Sequence, residues 1–362
     1  MSPFALGLSG IGVMFALLLL RQPVWLALAL CGIIGNALLN SVSMSLFVTG
    51  TGTFDTASSY GLSVIPLFIL MGEVASGSRM SRDLFEAARV VLSGMRGGLA
   101  VASIAASGAF GAICGSSVAT AASMTRIALP EMRRAGYEDG YAASSVAAGG
   151  SLGILIPPSI ILVIYGSIAE ASVARLFAAS MIPGIVLLLL YIVVAWVLAG
   201  TNGDTGTATR YTLVQRLRAL IAPWHFLILF IATIGGIYVG VFSPNEAASI
   251  GAFGAIVIGF VRRTLTWQGF IDAVKASVLI FCGLFMIIIG AKLFAPFVVQ
   301  TRLPDTLLDL ALSAELSPVL IMLLIVILYI VMGCFLEGIG MVLITVPVFL
   351  PVIEGYGFDP IW

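Results

Sequence analysis

The chain has 362 residues, of which 60% are hydrophobic and 9% charged, and its formal net charge is zero. An ordinary soluble domain carries about 25% charged residues, so no soluble core uses this much apolar surface and lipid must be the solvent for most of the chain. Zero net charge removes the electrostatic basis for nucleic-acid binding. Cys31, Cys114, Cys282 and Cys334 stand singly in apolar stretches with no CxxC pair, which supplies neither a disulfide framework nor a metal cluster.

A spanning helix needs about 20 apolar residues. The first candidate, 3–20, has no basic residue before it and ends at Arg21, the pattern of a span rather than of a cleaved signal peptide. Spans at 24–40 and 61–77 follow. Arg79 to Arg96 then predict an amphipathic interfacial helix with Leu84, Phe85, Ala88, Val91 and Leu92 on its apolar side, a connector rather than a binding patch. From 98 to 130 two short apolar arms flank the polar step Gly115-Ser116-Ser117, which predicts a re-entrant hairpin. Residues 140–170 form an apolar helix interrupted at Ile156-Pro157-Pro158-Ser159, where two prolines remove two donors and break the helix. Such a break at membrane depth is tolerated only where it is buried in protein or lines a cavity. Further spans are predicted at 176–199, 224–242, 245–261 and 277–299. A second hairpin covers 318–351, with its tip near Gly333 to Gly338.

With the N-terminus outside, the inner segments hold Arg21, Arg79, Arg82, Arg89, Arg96, Arg133, Arg134, Arg210, Arg216, Arg218, Arg262, Arg263 and Lys275, which is 13 of the 17 basic residues. The outer segments hold Arg175 and Arg302, while Arg126 lies in a hairpin arm and Lys292 within a span. This is the distribution of the positive-inside rule. The first hairpin, flanked by Arg96 and Arg133, then opens inward. The second, flanked by Asp305, Asp309, Glu315 and Glu354, opens outward.

An offset of 221 residues relates the two halves. It lays Pro244 on Pro23, Pro351 on Pro130, Gly357 on Gly136 and Trp362 on Tyr141. Leu129-Pro130 with Gly136-Tyr137-Glu138 recurs as Leu350-Pro351 with Gly357-Phe358-Asp359. The expected fold is therefore an all-α polytopic integral membrane protein made of inverted repeats with two re-entrant hairpins and broken helices. The first repeat covers 1–200, a cytoplasmic linker 201–223, and the second repeat 224–362. Inverted repeats mark transporters, with substrate and ion sites near the midplane at the repeat interface. The counterpart of Pro157-Pro158 falls near position 378, so the second repeat reads as C-terminally incomplete; a natural short form is the alternative.

At the first tip the hydroxyls of Ser116 and Ser117, with unwound carbonyls, replace part of a sodium ion's water shell, and the helix after the tip turns its positive end toward a bound carboxylate. The alternative is close helix approach, as in Gly111-x-x-x-Gly115. Gly150, Ser151, Pro157, Pro158 and Ser159 carry the same logic on the broken helix. Gly149-x-Ser151-x-Gly153 also matches a nucleophile elbow, which requires a strand-turn-helix setting and a histidine; the sole histidine, His225, is expected at the membrane interface. In the second half the polar insertion Gly240, Ser243 and Asn245 is either part of a site or an outer turn in which Asn245 or Glu246 meets a helix dipole. Glu337, beside Gly338 at the second tip, is an acidic residue at membrane depth and a candidate to ligate sodium or carry a proton. Glu73 and Lys292 are weaker candidates that snorkel near helix ends.

The run Gly108-Ala109-Phe110-Gly111-Ala112-Ile113-Cys114-Gly115-Ser116-Ser117-Val118-Ala119-Thr120-Ala121-Ala122, then Leu129-Pro130-Glu131-Met132, then Ala147-Ala148-Gly149-Gly150-Ser151-Leu152-Gly153-Ile154-Leu155-Ile156-Pro157-Pro158-Ser159, closely resembles the large permease subunit of tripartite ATP-independent periplasmic (TRAP) transporters, the DctM type. The resemblance covers essentially the whole chain. Where the family often has Thr-Pro-Thr-Glu-Ala-Ala this chain has Ser243-Pro244-Asn245-Glu246-Ala247-Ala248, and where it commonly has aspartate at the second tip this chain has Glu337. The resemblance implies an elevator-type, sodium-coupled importer of organic acids such as C4-dicarboxylates, a secondary transporter rather than an enzyme, with no cofactor beyond the coupling ion. It implies a small four-helix membrane subunit of the DctQ type, a periplasmic substrate-binding protein of the DctP type, and the bacterial inner membrane. Substrate choice is expected to reside largely in the binding protein. The competing readings are an ion-coupled anion transporter that works without a binding protein and an intramembrane hydrolase using Ser151.

Overall fold

A chain dissolved in lipid has to pair each backbone N–H and C=O internally, and helices do so locally. The computed structural model describes residues 2–199, 211–334 and 336–361, and every regular element among them is a helix. In chain order these are α1 (Pro3–Leu19), α2 (Val24–Leu39), α3 (Val42–Ala57), α4 (Val64–Gly77), α5 (Met80–Val91), α6 (Gly98–Cys114), α7 (Ser117–Arg134), α8 (Asp139–Ser151), α9 (Ile160–Ile168) and α10 (Val173–Ala199). There follow α11 (Leu213–Ile221), α12 (Trp224–Phe230), α13 (Gly236–Tyr238), α14 (Pro244–Val261), α15 (Trp267–Gln300), α16 (Leu303–Ser313), α17 (Pro318–Gly333) and α18 (Gly338–Gly355). Arg210, Trp362 and residues 201–210 of the expected linker lie outside the described residues.

The 221-residue offset reappears in the helix bounds. Advancing α7 by 221 gives Gly338–Gly355, the limits of α18, and advancing α2 gives α14 to within one residue at each end. The turn after each hairpin is also the same. Gly136 at φ 82° and Gly357 at φ 81° follow α7 and α18. Gly136 and Tyr137 donate to Arg133 and Met132, as Gly357 and Phe358 donate to Glu354 and Ile353. One element differs for a local reason. Between α3 and α4 the first half carries Ser58-Ser59-Tyr60-Gly61 and breaks there. The second half has Leu279-Ile280-Phe281-Cys282 at those positions, nothing there interrupts the ladder, and α15 runs on for 34 residues.

Among the described residues five helices are long and apolar enough to cross a membrane, or six if the bent pair Leu213–Ile221 and Trp224–Tyr238 counts as one. The hairpin arms are longer than the sequence suggests: α6 and α7 have 17 and 18 residues, α17 and α18 have 16 and 18. Apolar residues continue through Pro130, Pro347 and Pro351 without ending these helices, and α18 itself meets the length of a span. The break in 140–170 is present, with α8 ending at Ser151, a 3-10 turn at Leu152–Ile154 and α9 starting at Ile160.

The helices gather into two compact units, each drawing on both halves of the chain. One comprises Met1–Leu62, Val163–Ser172 and Phe281–Trp362; the other comprises Ser63–Leu162 and Val173–Ile280. In the first, a Cβ on Gly32 would stand 2.4 Å from the Leu293 carbonyl oxygen, so α2 and α15 meet backbone to backbone. Asn36, buried one turn later, donates from Nδ2 to Gly32 O at 2.8 Å and to Leu293 O at 3.2 Å. Small residues let helices approach, and a side-chain amide joins them once they have. The hydroxyls of Tyr329 and Thr345 join the two arms of the second hairpin.

The opposite outcomes expected for Gly32 on α2 and Gly283 on α15 test this packing. Gly32→Ala drives a methyl into the Leu293 backbone and should lower stability by about 1–3 kcal/mol. Gly283→Ala, with nothing within 4 Å of its Cβ, should leave the thermal midpoint unchanged or raise it, since alanine is the better helix former by up to about 1 kcal/mol. Thermal unfolding in one detergent compares the two.

Candidate functional site

The second unit holds the first hairpin and the broken helix as far as Leu162, and the two are packed through glycine. α6 stops because Gly115 takes φ 64°, the left-handed conformation that α-helix geometry excludes and glycine adopts freely. Ser116 then caps α7, its Oγ accepting from Ala119 N at 3.4 Å. Across from this tip, Gly153 lies so close to α6 that a Cβ on Gly111 would be 2.6 Å from Gly153 Cα. Likewise a Cβ on Gly150 would be 2.6 Å from Ala121 Cβ, and one on Gly115 would be 2.8 Å from Pro158 O. Two of the freed backbone groups find partners at the junction. Ile160 N donates to Gly115 O at 3.3 Å, and Ser159 Oγ donates to Ile154 O at 2.6 Å. Pro157, Pro158 and Ser159 are buried.

Four helix ends therefore converge here: the C-termini of α6 and α8, and the N-termini of α7 and α9. Carbonyl ends suit a cation and N–H ends suit an anion. Gly153 packs directly against oxygen: a Cβ there would stand 2.8 Å from both Ser116 O and Thr120 Oγ1, so no methyl group fits. Thr120 is fully buried, and the weak thiol of Cys114 is the polar company of its hydroxyl. A carbonyl and a hydroxyl side by side are the hard-oxygen donors that a small hard cation prefers.

The sequence candidates Gly115, Ser116, Ser117, Gly150, Ser151, Pro157, Pro158 and Ser159 are thus brought into one neighbourhood, with Ser117 the first residue of α7 and half-buried. Gly240, Ser243 and Asn245 have structural occupations. Gly240 turns the chain at φ 77°, Ser243 and Glu246 form a capping box, and Asn245 Nδ2 donates to Ser63 Oγ at 3.1 Å. Glu337, exposed, is the N-cap of α18 without a capping hydrogen bond, Gly338 opens that helix, and both belong to the other unit. Among the described residues no group of three His, Cys, Asp or Glu side chains is placed to hold a metal ion, and all four cysteines are free.

A competing reading loses its setting. Ser151 is not on a nucleophile elbow: it ends α8, and its hydroxyl donates to Ala148 O at 2.8 Å and meets Tyr191 Oη at 3.2 Å. His225, near the start of α12, is fully buried within the protein, with Nε2 2.9 Å from Arg262 Nη1 and 3.3 Å from Asp83 Oδ2. Arg262 Nη2 closes the triangle on Asp83 at 2.8 Å. Asp83 is on α5 and Arg262 caps α14, so a charge cluster fastens the predicted amphipathic connector, a contact no periodicity reveals. Thr120 is the site residue that sequence reasoning did not single out, and Gly111 and Gly153 entered it only as a helix-approach position and a nucleophile-elbow position. Glycine at a packing contact and glycine in a loop look alike in sequence.

The sequence profile described as "Tripartite ATP-independent periplasmic transporter, DctM component" matches residues 11–362. The chain belongs to the DctM family. The DctM large permease of a C4-dicarboxylate TRAP transporter from Pseudomonas aeruginosa is 35% identical over 309 residues, 85% of this chain and 72% of that protein. The SiaM large permease of a sialic acid TRAP transporter from Vibrio cholerae is 29% identical over 347 residues, 93% and 81% of the two chains. The UehC large permease of an ectoine/5-hydroxyectoine TRAP transporter from Ruegeria pomeroyi is 31% identical over 304 residues, 83% and 70%. In fold, the chain is similar to the YdaH transporter of Alcanivorax borkumensis, with TM-score 0.62 and 16% identity over 93% of this chain and 82% of that one. This DctM-family chain is accordingly a large permease subunit of a TRAP transporter, a multi-pass membrane protein and not an enzyme.

Gly115→Ala tests the tip of this permease. A side chain there is strained by the left-handed backbone and meets Pro158 O, which together should cost at least about 1–3 kcal/mol. A thermal midpoint equal to that of the unaltered protein would show that the tip and the break do not touch.

Proposed function

We propose that this permease is the membrane-translocating subunit of a sodium-coupled importer of organic acids, working by an elevator movement in the bacterial inner membrane with its N-terminus in the periplasm. The carrying observation is the pair of oxygens packed against Gly153, Ser116 O and Thr120 Oγ1, at a place where two helix N-termini also point. One ion and one carboxylate are neutralised there together, so each favours the other's binding, which is the physical content of coupling. Glu337 at the second tip is proposed to furnish the equivalent charge in the second repeat. Its partners are a small four-helix membrane subunit and a periplasmic binding protein that delivers the solute. Of the relatives' named cargoes, a C4-dicarboxylate, sialic acid and ectoine bear a carboxylate and isethionate a sulfonate, which supports organic acids as a class, while selection among them falls to the binding protein.

The pair Ser116→Ala and Ser117→Ala decides the role of the tip. In proteoliposomes containing the permease with both partner subunits, the double variant should lose at least tenfold in sodium-driven uptake of the cognate acid. Ser117→Ala alone keeps the Ser116 cap and should retain the thermal midpoint while losing uptake. Unaltered uptake in the double variant would remove the tip from the ion path.

A further inference from the structure

α11 is a nine-residue helix in which no residue is buried. Five large apolar side chains, Leu213, Val214, Leu217, Leu220 and Ile221, are 53% to 75% exposed. Their spacing of i, i+1, i+4, i+7 and i+8 puts them on one stripe of the helix. Arg216 and Arg218 fall on the two rims of that stripe, and Gln215 and Ala219 occupy the back. The helix is fixed despite its length. Thr212 and Gln215 form a capping box, and Arg216 Nη2 donates to Ser93 O at 2.8 Å, tying α11 to the end of α5. Arg218, on the other rim, is exposed and makes no ion pair or hydrogen bond among the described residues.

The direction of α11 is equally informative. It meets the following span, Trp224–Tyr238, at 45°, with Pro223 at the bend and Trp224 half-exposed beside it. A helix that continued the span would pass through the bilayer surface; one that bends off beside an exposed tryptophan lies along it. An apolar stripe between cationic rims, next to an aromatic residue at the bilayer edge, is the pattern of an amphipathic helix resting in the headgroup layer.

We infer that α11 is a docking site for anionic phospholipid, with the stripe seated among acyl chains and Arg218 paired to headgroup phosphate or glycerol-linked anion. The charge selects the lipid: between Tyr211 and Phe226 there are two arginines and no acidic residue. A zwitterionic headgroup offers Arg218 a phosphate accompanied by its own cation, whereas an anionic headgroup offers net charge. Because Arg216 is bonded to the chain after α5, lipid bound along α11 also holds the Ser93 turn, on the opposite end of α5 from Asp83 and its cluster with His225 and Arg262.

The test compares hydrogen exchange of the α11 amides in nanodiscs of phosphatidylcholine alone and of phosphatidylcholine with one-third phosphatidylglycerol. Exchange should be slower in the anionic discs. In Arg218→Gln the advantage should fall about fivefold, the contribution of one arginine near an anionic surface, and α14 should exchange at the same rate throughout as a control of folding. Equal exchange in both lipids, or an Arg218→Gln variant that keeps the full difference, would overturn the inference. So would protection that appears only when the small membrane subunit is added, since a protein rather than lipid would then cover the stripe.

Discussion

The structure depends on one constraint: within lipid, an unpaired backbone group costs several kcal/mol, so a helix cannot stop there without a partner. The segment between Ser151 and Ile160 stops all the same, because two prolines oblige it to. It survives because the tip of the first hairpin stands directly against it. Gly115 takes the hydrogen bond of Ile160, Ser159 takes the carbonyl of Ile154, and Gly111 and Gly153 let the two backbones close without side chains between them. The break and the tip are each untenable alone. Together they make a dense junction where helix ends of both signs meet, and this is the physical reason for proposing ion and solute binding there.

The same constraint explains why so much was legible from sequence. Tips and breaks demand glycine, serine and proline in otherwise apolar runs, and such residues stand out in a chain that is 9% charged. The 221-residue repeat was readable from two prolines and one glycine, and it sets the bounds of α18 from those of α7. The polar break between α3 and α4 was legible in principle, as was its apolar replacement inside α15, but neither passes a ruler designed for spans. Contacts were not legible. Nothing in Gly153 announces that it faces Ser116 and Thr120, nothing in His225 announces Asp83 and Arg262, and the capping box of Ser243 and Glu246 competes with any ionic role for that turn. The amphipathic stripe of α11 was visible as a pattern, but only its exposure and its angle to the next span give it meaning.

The division into two compact units adds a distinction that the repeat does not contain. A repeat records how the chain was duplicated; a compact unit records what packs as one body. The first hairpin shares a body with α8 and the break up to Leu162, whereas the second hairpin sits with α1–α3, Val163–Ser172 and the C-terminal part of α15. Relatives named for cargoes as unlike as C4-dicarboxylate, sialic acid and ectoine align over most of this chain.

The most direct test of a sodium-binding junction is chemical protection. Ser117→Cys, in a background where the exposed Cys282 and Cys334 are serine, should react with a small charged thiol reagent in membranes bathed in potassium. Sodium at the same ionic strength should slow that reaction severalfold, because the ion draws the tip and the break together. A rate indifferent to the choice between sodium and potassium would contradict the account.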